Sequence, residues 1–235
     1  MTIFTPGSEP YLGVRGVHAL DTLIPPFMNQ QILIAEWTQR NAISPIQEMA
    51  SQLVPGASAI ALGTRELVRQ GYLLPAQILT RPMLERVATL SYLVENPEKL
   101  PIWTRGWTHN ERPSLRDRMK AMHLPREIPL PGDEVLPGSE FTRFLFDNYN
   151  SLIHGDPRAA LASAILRQDG TAAYTVGRDL GSPTRADRVC TETACRLAVL
   201  LARCSRRHKR TTLALRACPP SCRVLRTSWP VKGWA

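Results

Sequence analysis

Residues 73–96 have the sequence LLPAQILTRPMLERVATLSYLVEN, in which apolar side chains recur at the spacing of an α-helix. The stretch predicts one long helix, and its broad apolar surface makes it the most deeply buried helix of the fold. Because the pattern continues on both sides of Pro82, we expect a kink there rather than a helix end. Arg81 and Glu85 are four residues apart, so they share a helix face. They form either a solvated ion pair or a buried polar pair near a functional site.

Cap and break signals predict further helices on both sides of this one. Pro25-Pro26 and Ser44-Pro45 are typical helix starts, and Pro55-Gly56 predicts a break. Short helices are expected at 97–107 and around Met119. Ser182-Pro183 predicts the start of the last strong helix.

The turn residues Gln168-Asp169-Gly170 separate two short apolar runs and predict a small β-hairpin near 163–176. The chain as a whole is expected to be all-α, an up-and-down bundle of five to seven helices. Residues 1–24 are predicted to be an irregular N-terminal arm. Residues 25–203 form a single helical domain, and its proline-rich stretch 125–138 is expected to be a loop without regular structure.

Positive charge is concentrated at the end of the sequence. Residues 203–235 contain nine lysines and arginines and no acid, so the remaining 20 basic and 20 acidic residues balance. This stretch has no persistent apolar period, and residues 204–235 are predicted to be a basic disordered tail. The net charge of +9 therefore does not indicate a basic face on the folded domain.

Composition favours an ordinary globular protein, with 43% hydrophobic residues and a mean hydropathy of −0.17. No apolar run approaches the ~18 residues of a membrane helix, so no membrane insertion is expected. The first ten residues lack the pattern of a secretory signal, which predicts a cytoplasmic location. The five cysteines form no Cys-x-x-Cys pair, and we expect no metal site and no cofactor.

The candidate site lies in Asn148-Tyr149-Asn150-Ser151-Leu152-Ile153-His154-Gly155. Asn150 and His154 are four residues apart and would share a helix face. An imidazole there can exchange protons near neutral pH. The structural alternative is that His154 binds the last carbonyls of its own helix, just before Gly155.

Two segments together resemble a bacterial family of helical proteins of unknown function that is related to HEPN domains. The first contains Ile78-Leu79-Thr80-Arg81-Pro82-Met83-Leu84-Glu85 and Tyr92-Leu93-Val94, and the second is Ser151-Leu152-Ile153-His154-Gly155-Asp156-Pro157. Tyr149-Asn150-x-x-x-His154 also resembles the Arg-Asn-x-x-x-His motif of HEPN ribonucleases, with Tyr149 at the position of the arginine. The resemblance covers roughly residues 55–203.

This resemblance implies a helical bundle acting in toxin–antitoxin or phage-defence systems. It implies a metal-independent endoribonuclease, usually a homodimer that pairs two motifs. Carried over, His154 takes the proton-transfer role and Asn150 an orienting role. The supporting or substrate-binding positions are Tyr149, Ser151, Arg81, Glu85 and Arg158.

Two functional hypotheses follow. The first is an RNA-directed HEPN-like effector, either a ribonuclease or a degenerate binder of RNA or nucleotide. The second is a noncatalytic helical interaction or sensor module, which would bind a protein partner through residues 125–138. A cleft at a symmetric dimer interface, with both His154 side chains and an arginine facing it, favours the first hypothesis, whereas an Asn150/His154 pair enclosed by its own core favours the second.

Overall fold

The computed structural model describes residues 3–122, 127–129, 135–137, 143, 147, 164–166, 172–174 and 177–205. Six α-helices have described bounds, and a 3-10 turn at Pro97–Lys99 precedes the fourth. They are α1 (Arg15–Arg40), α2 (Pro45–Arg69), α3 (Leu73–Glu95), α4 (Leu100–Arg105), α5 (Leu115–Lys120) and α6 (Pro183–Ser205). The all-α prediction is thus confirmed for the described part of the chain. The relation to HEPN domains remains a prediction.

The α3 helix is the centre of the bundle. It packs against α2, α5 and α6, while α1 packs against α2 and α6. Five of the twelve largest fully buried side chains belong to α3. These are Leu73, Met83, Leu84, Leu90 and Leu93. The apolar pattern of residues 73–96 therefore marked the buried helix, and Pro82 lies inside it as predicted.

Local sequence signals account for several of the helix ends. Ser44 caps α2 in a capping box with Gln47. Gly71 follows the end of α2 with a φ of +79°, a conformation that glycine adopts without strain. The last helix begins at Pro183, directly after Ser182. No described helix has both the length and the apolarity needed to cross a membrane.

Two proline-based predictions were wrong. The N-terminal arm is shorter than predicted, because α1 begins at Arg15 and contains Pro25 and Pro26. Similarly, α2 continues through Pro55 instead of breaking there. An internal proline costs a backbone hydrogen bond and introduces a clash. The buried side chains on both sides of each proline, such as Leu23 and Phe27 in α1, offset that cost by packing in the core.

The stretch 125–138 is also not entirely irregular. Its residues Glu127–Pro129 (β1) and Val135–Pro137 (β2) form an antiparallel pair, with Ile128 opposite Leu136. Proline is tolerated at strand ends and on edge strands, and both strands of a two-stranded ladder are edges. The prediction of a loop without regular structure was therefore wrong for these six residues.

The predicted hairpin near 163–176 is confirmed as an antiparallel pair, Ala164–Leu166 (β3) with Ala172–Tyr174 (β4). Residues 206–235, which include most of the predicted basic tail, lie outside the described residues. Residues 204 and 205 belong to α6, so the helical domain extends slightly beyond the predicted boundary at 203.

Candidate functional site

The predicted motif lies in a part of the chain that is not described. Tyr149, Asn150, Ser151, His154 and Arg158 are all outside the described residues. Arg81 and Glu85 are described, and Arg81 Nε donates a hydrogen bond of 3.0 Å to Glu85 Oε1. Their side chains are 12% and 32% exposed. The pair is therefore half-buried. This is intermediate between the solvated ion pair and the buried polar pair that the sequence left open.

Glu85 also lines a cleft between α2, α3, α4 and α5. The cleft has a volume of about 320 Å³, at the lower end of the range for small-molecule sites. Three arginines line it, together with one carboxylate, one hydroxyl, two indole rings and one leucine. The lining residues are Leu53, Glu85, Arg86, Thr89, Trp103, Trp107, Arg112 and Arg118. We call this feature the Arg–Trp cleft.

Arg118 is the most buried charge of the Arg–Trp cleft. The residue is 4% exposed, and its Nη1 donates a hydrogen bond of 2.7 Å to Thr89 Oγ1 on α3. Its guanidinium carbon lies 5.9 Å from the centroid of the Trp107 ring, within cation–π range. Arg118 Nε is buried and has no hydrogen-bond partner among the described residues. Within the part of the chain that the structure describes, Arg118 forms no ion pair with a carboxylate.

The charges around Arg118 do not compensate it. Burial lowers the pKa of Arg118; Glu85 acts in the opposite direction, and Arg112 and Arg81 lower it further. Glu85 is already hydrogen-bonded to Arg81, and its Oε2 lies 4.0 Å from Arg112 Nη2 at the exposed rim. Arginine stays protonated even when its pKa falls moderately. The described residues of the Arg–Trp cleft, three arginines and one glutamate, therefore carry excess positive charge.

Arg86 adds a second guanidinium with an open donor. Its Nε is buried, and no described residue forms a hydrogen bond with it. The side chain reaches α2 at Gly56, where a Cβ atom would lie 2.6 Å from Arg86 Nε. Gly56 therefore leaves the space that this guanidinium occupies, and a larger residue would push Arg86 away. Both Trp103 and Trp107 pack against the core as well as lining the cleft, so their rings are held in place.

This arrangement is suited to an anion that also carries an aromatic ring. Guanidinium groups donate paired hydrogen bonds to phosphate or carboxylate oxygens, and indole rings stack on nucleobases. A buried cation without a carboxylate is costly to the folded protein, and a bound anion removes that cost.

In a second cluster of charged side chains, around Arg65, the positive charge is already paired with carboxylates. Arg65 on α2 donates to both carboxylate oxygens of Glu9 at 2.6 and 2.7 Å, and its Nε donates to Asp21 at 2.6 Å. Burial alone would lower the pKa of Arg65, but these hydrogen bonds outweigh it and raise the pKa. Because two carboxylates already face this guanidinium, the cluster is a structural tie rather than a ligand site.

The sequence interpretation missed the centre of the Arg–Trp cleft. Trp103 and Trp107 fall in the stretch 97–107 that was predicted to be a short helix, and Arg118 was not considered. A signal for Arg118 was present, because it shares the helix face of Leu115, Met119 and Met122. An arginine on an apolar face must be buried or close to the core, and such a charge needs a partner.

Burial also explains why Cys190 is not a reactive group. The thiol lies in α6 within the core, and burial raises its pKa to about 12. A thiol must ionise to act as a nucleophile.

Comparison of the chain with protein-family models, with curated proteins and with solved structures gives no match.

Proposed function

We propose that this protein is an RNA-directed helical effector of the HEPN-like type, acting in a bacterial toxin or phage-defence system. In this proposal the Arg–Trp cleft binds a phosphate and a base of the RNA. The observation that carries the proposal is Arg118, a buried guanidinium whose neighbours among the described residues are a hydroxyl and an indole ring instead of a carboxylate.

The proposed chemistry is cleavage of the RNA strand by its own 2′-hydroxyl. The 2′-oxygen forms a bond to phosphorus, and the bond between phosphorus and the 5′-oxygen breaks. One proton leaves the 2′-hydroxyl and another is delivered to the departing oxygen, and His154 carries one of these transfers. Asn150 orients the imidazole or the RNA.

The arginines of the Arg–Trp cleft would supply positive charge that the motif lacks, by binding a phosphate of the RNA beside the linkage that is cleaved. The chain has Tyr149 at that motif position, and a phenol supplies no positive charge. Arg86 and Arg118 each have an open buried donor, which a phosphate oxygen can accept. The proposal therefore requires His154 to reach an RNA linkage next to the phosphate that these arginines hold.

The test is an RNA-cleavage assay on the full chain, with chelator present throughout, beside His154→Ala. We expect His154→Ala to lower the cleavage rate by at least about 100-fold, the contribution of a positioned general acid or base. The matched control is His109→Ala, since His109 is exposed and lies outside the cleft. Cleavage that survives in His154→Ala would contradict the catalytic role.

RNA binding is measured in parallel to separate binding from catalysis. Binding without cleavage would identify a noncatalytic RNA binder. Absence of both binding and cleavage would contradict the proposed function and would favour the noncatalytic protein-interaction module.

A further inference from the structure

We infer that the Arg–Trp cleft recognises a terminal phosphate monoester attached to a nucleoside, rather than an internal phosphodiester of an RNA strand. The inference rests on the proposed function, because it names the part of a nucleic acid that the same cleft would bind. The shared chemistry is a phosphate dianion beside a nucleobase. Its source is either the end of an RNA chain or a free mononucleotide.

The first argument is how positive charge is distributed with depth. Arg118, 4% exposed, lies deep in the cleft, whereas the Arg112 side chain is 55% exposed at the rim. A terminal phosphate can enter such a site with its oxygens directed inward. An internal phosphodiester carries a nucleoside on both sides, so bringing it equally deep would require room for the second nucleoside as well.

The second argument is the number of open donors. Within the described part of the chain, Arg118 Nε and Arg86 Nε are both buried without a hydrogen-bond partner. A monoester has three terminal oxygens and accepts more hydrogen bonds than a diester, which has two. Its second negative charge also compensates more of the excess positive charge of the cleft.

The third argument is the position of the indole rings. The Arg118 guanidinium lies 5.9 Å from the Trp107 ring centroid, so a phosphate held by Arg118 places the attached nucleoside close to Trp107. Trp103 lines the same cleft. With a volume of about 320 Å³, the cleft suits one small ligand rather than a run of stacked bases.

The experiment measures the affinity of the full chain for three oligoribonucleotides of one sequence. One carries a 5′ phosphate, one a 3′ phosphate and one hydroxyl groups at both ends. The oligonucleotides carry a 2′-O-methyl group at every internal position, so that cleavage does not affect the measurement. We expect one of the phosphorylated RNAs to bind about tenfold more tightly than the hydroxyl-ended RNA, as one added charged hydrogen-bond interaction predicts.

Variants test whether the preference for phosphate-ended RNA comes from the Arg–Trp cleft. Arg118→Gln should abolish the difference between phosphate-ended and hydroxyl-ended RNA. Arg116→Gln is the matched control, because Arg116 is exposed on the same helix and does not line the cleft. This control should keep the full preference. Trp107→Leu should weaken binding of the phosphorylated RNA by removing the stacking ring. The wild-type comparison requires no variant, so a folding defect in Arg118→Gln does not remove the test.

The outcomes separate the inference from the proposed function. Equal wild-type affinity for all three RNAs would overturn the inference and leave RNA binding intact. A preference that persists in folded Arg118→Gln would also overturn it. No binding of any RNA, combined with no binding of a nucleoside monophosphate, would overturn both. Competition by a nucleoside monophosphate supports the inference and assigns a free nucleotide as a source, whereas a preference without such competition assigns an RNA end.

Discussion

Arg65 and Arg118 differ in the groups that face them. Arg65 is bound by the carboxylates of Glu9, in the segment before α1, and of Asp21, within α1, and these pairs anchor both parts to α2. Arg118 has Thr89 and the Trp107 ring instead. Among the residues that the structure describes, carboxylates compensate the first charge, whereas the second remains available to an anion. This contrast is why we assign Arg65 to stability and Arg118 to binding.

Arg65→Met should destabilise the protein strongly. The change leaves the carboxylate of Glu9, whose side chain is 3% exposed, buried without its partner. Removing one member of a buried pair typically costs about 3–5 kcal/mol of unfolding free energy. Urea denaturation followed by circular dichroism measures this loss.

The control for Arg65→Met is Lys120→Met, which breaks an exposed pair with Asp117 and should leave the unfolding midpoint unchanged. Adding Glu9→Gln to Arg65→Met should restore part of the stability, because the unpaired charge is then removed. An unchanged midpoint in Arg65→Met alone would contradict the structural role of this pair.

At the scale of helices, the sequence predicted an element correctly where its apolar periodicity and its cap residues indicated the same bounds. The bounds of α3 and the starts of α2 and α6 were correct for this reason. The errors came from treating Pro25 and Pro55 as local signals, although apolar residues continue on both sides of each. Tertiary packing of those residues outweighs the local cost of proline. At Pro82, by contrast, the apolar pattern on both sides was taken to outweigh the proline, and the helix does continue there.

The candidate site was predictable only where its contacts are local. The Arg81–Glu85 pair follows from a spacing of four residues on one helix. The Arg118–Thr89 hydrogen bond joins residues 29 apart in sequence on different helices. A periodic pattern on one helix does not determine which other helix it faces, so the Arg–Trp cleft required the packed structure.

Gly16 fixes how closely α1 approaches α6. Its backbone N–H donates to Asp187 Oδ1 at 2.7 Å. A Cβ atom there would collide with the Asp187 carbonyl oxygen and lie 2.7 Å from Thr191 Oγ1. Gly16→Ala should therefore separate the helices and cost about 1–3 kcal/mol of unfolding free energy, measured by chemical denaturation.

Gly63→Ala is the matched control for Gly16→Ala. Gly63 lies within α2, and the nearest atom to its Cβ would be Leu79 Cδ1 at 3.6 Å, an ordinary contact. Alanine there should stabilise the protein by about 0.4–1 kcal/mol, because it restricts the unfolded chain. Gly16→Ala would contradict the proposed close approach if it stabilised the protein to the same extent.

At the scale of the whole molecule, the residues that give the chain its net positive charge lie apart from the Arg–Trp cleft in the sequence. Eight lysines and arginines and no acid follow Ser205, so a chain ending there has a net charge of +1 instead of +9. The cleft residues all precede that point. The final buried residue described in α6 is Leu201, so shortening the chain to residues 1–205 should leave the unfolding midpoint unchanged.

The shortened chain separates nonspecific attraction from binding in the cleft. Affinity for single-stranded RNA is measured between 50 and 300 mM salt for both chains. Loss of the eight charges should make the slope of log affinity against log salt shallower by as much as about 6. The remaining slope then reports the phosphate contacts of the folded domain, and Arg118→Gln in the shortened chain should reduce it further. Equal slopes for the full and shortened chains would show that the basic residues after Ser205 do not contact RNA.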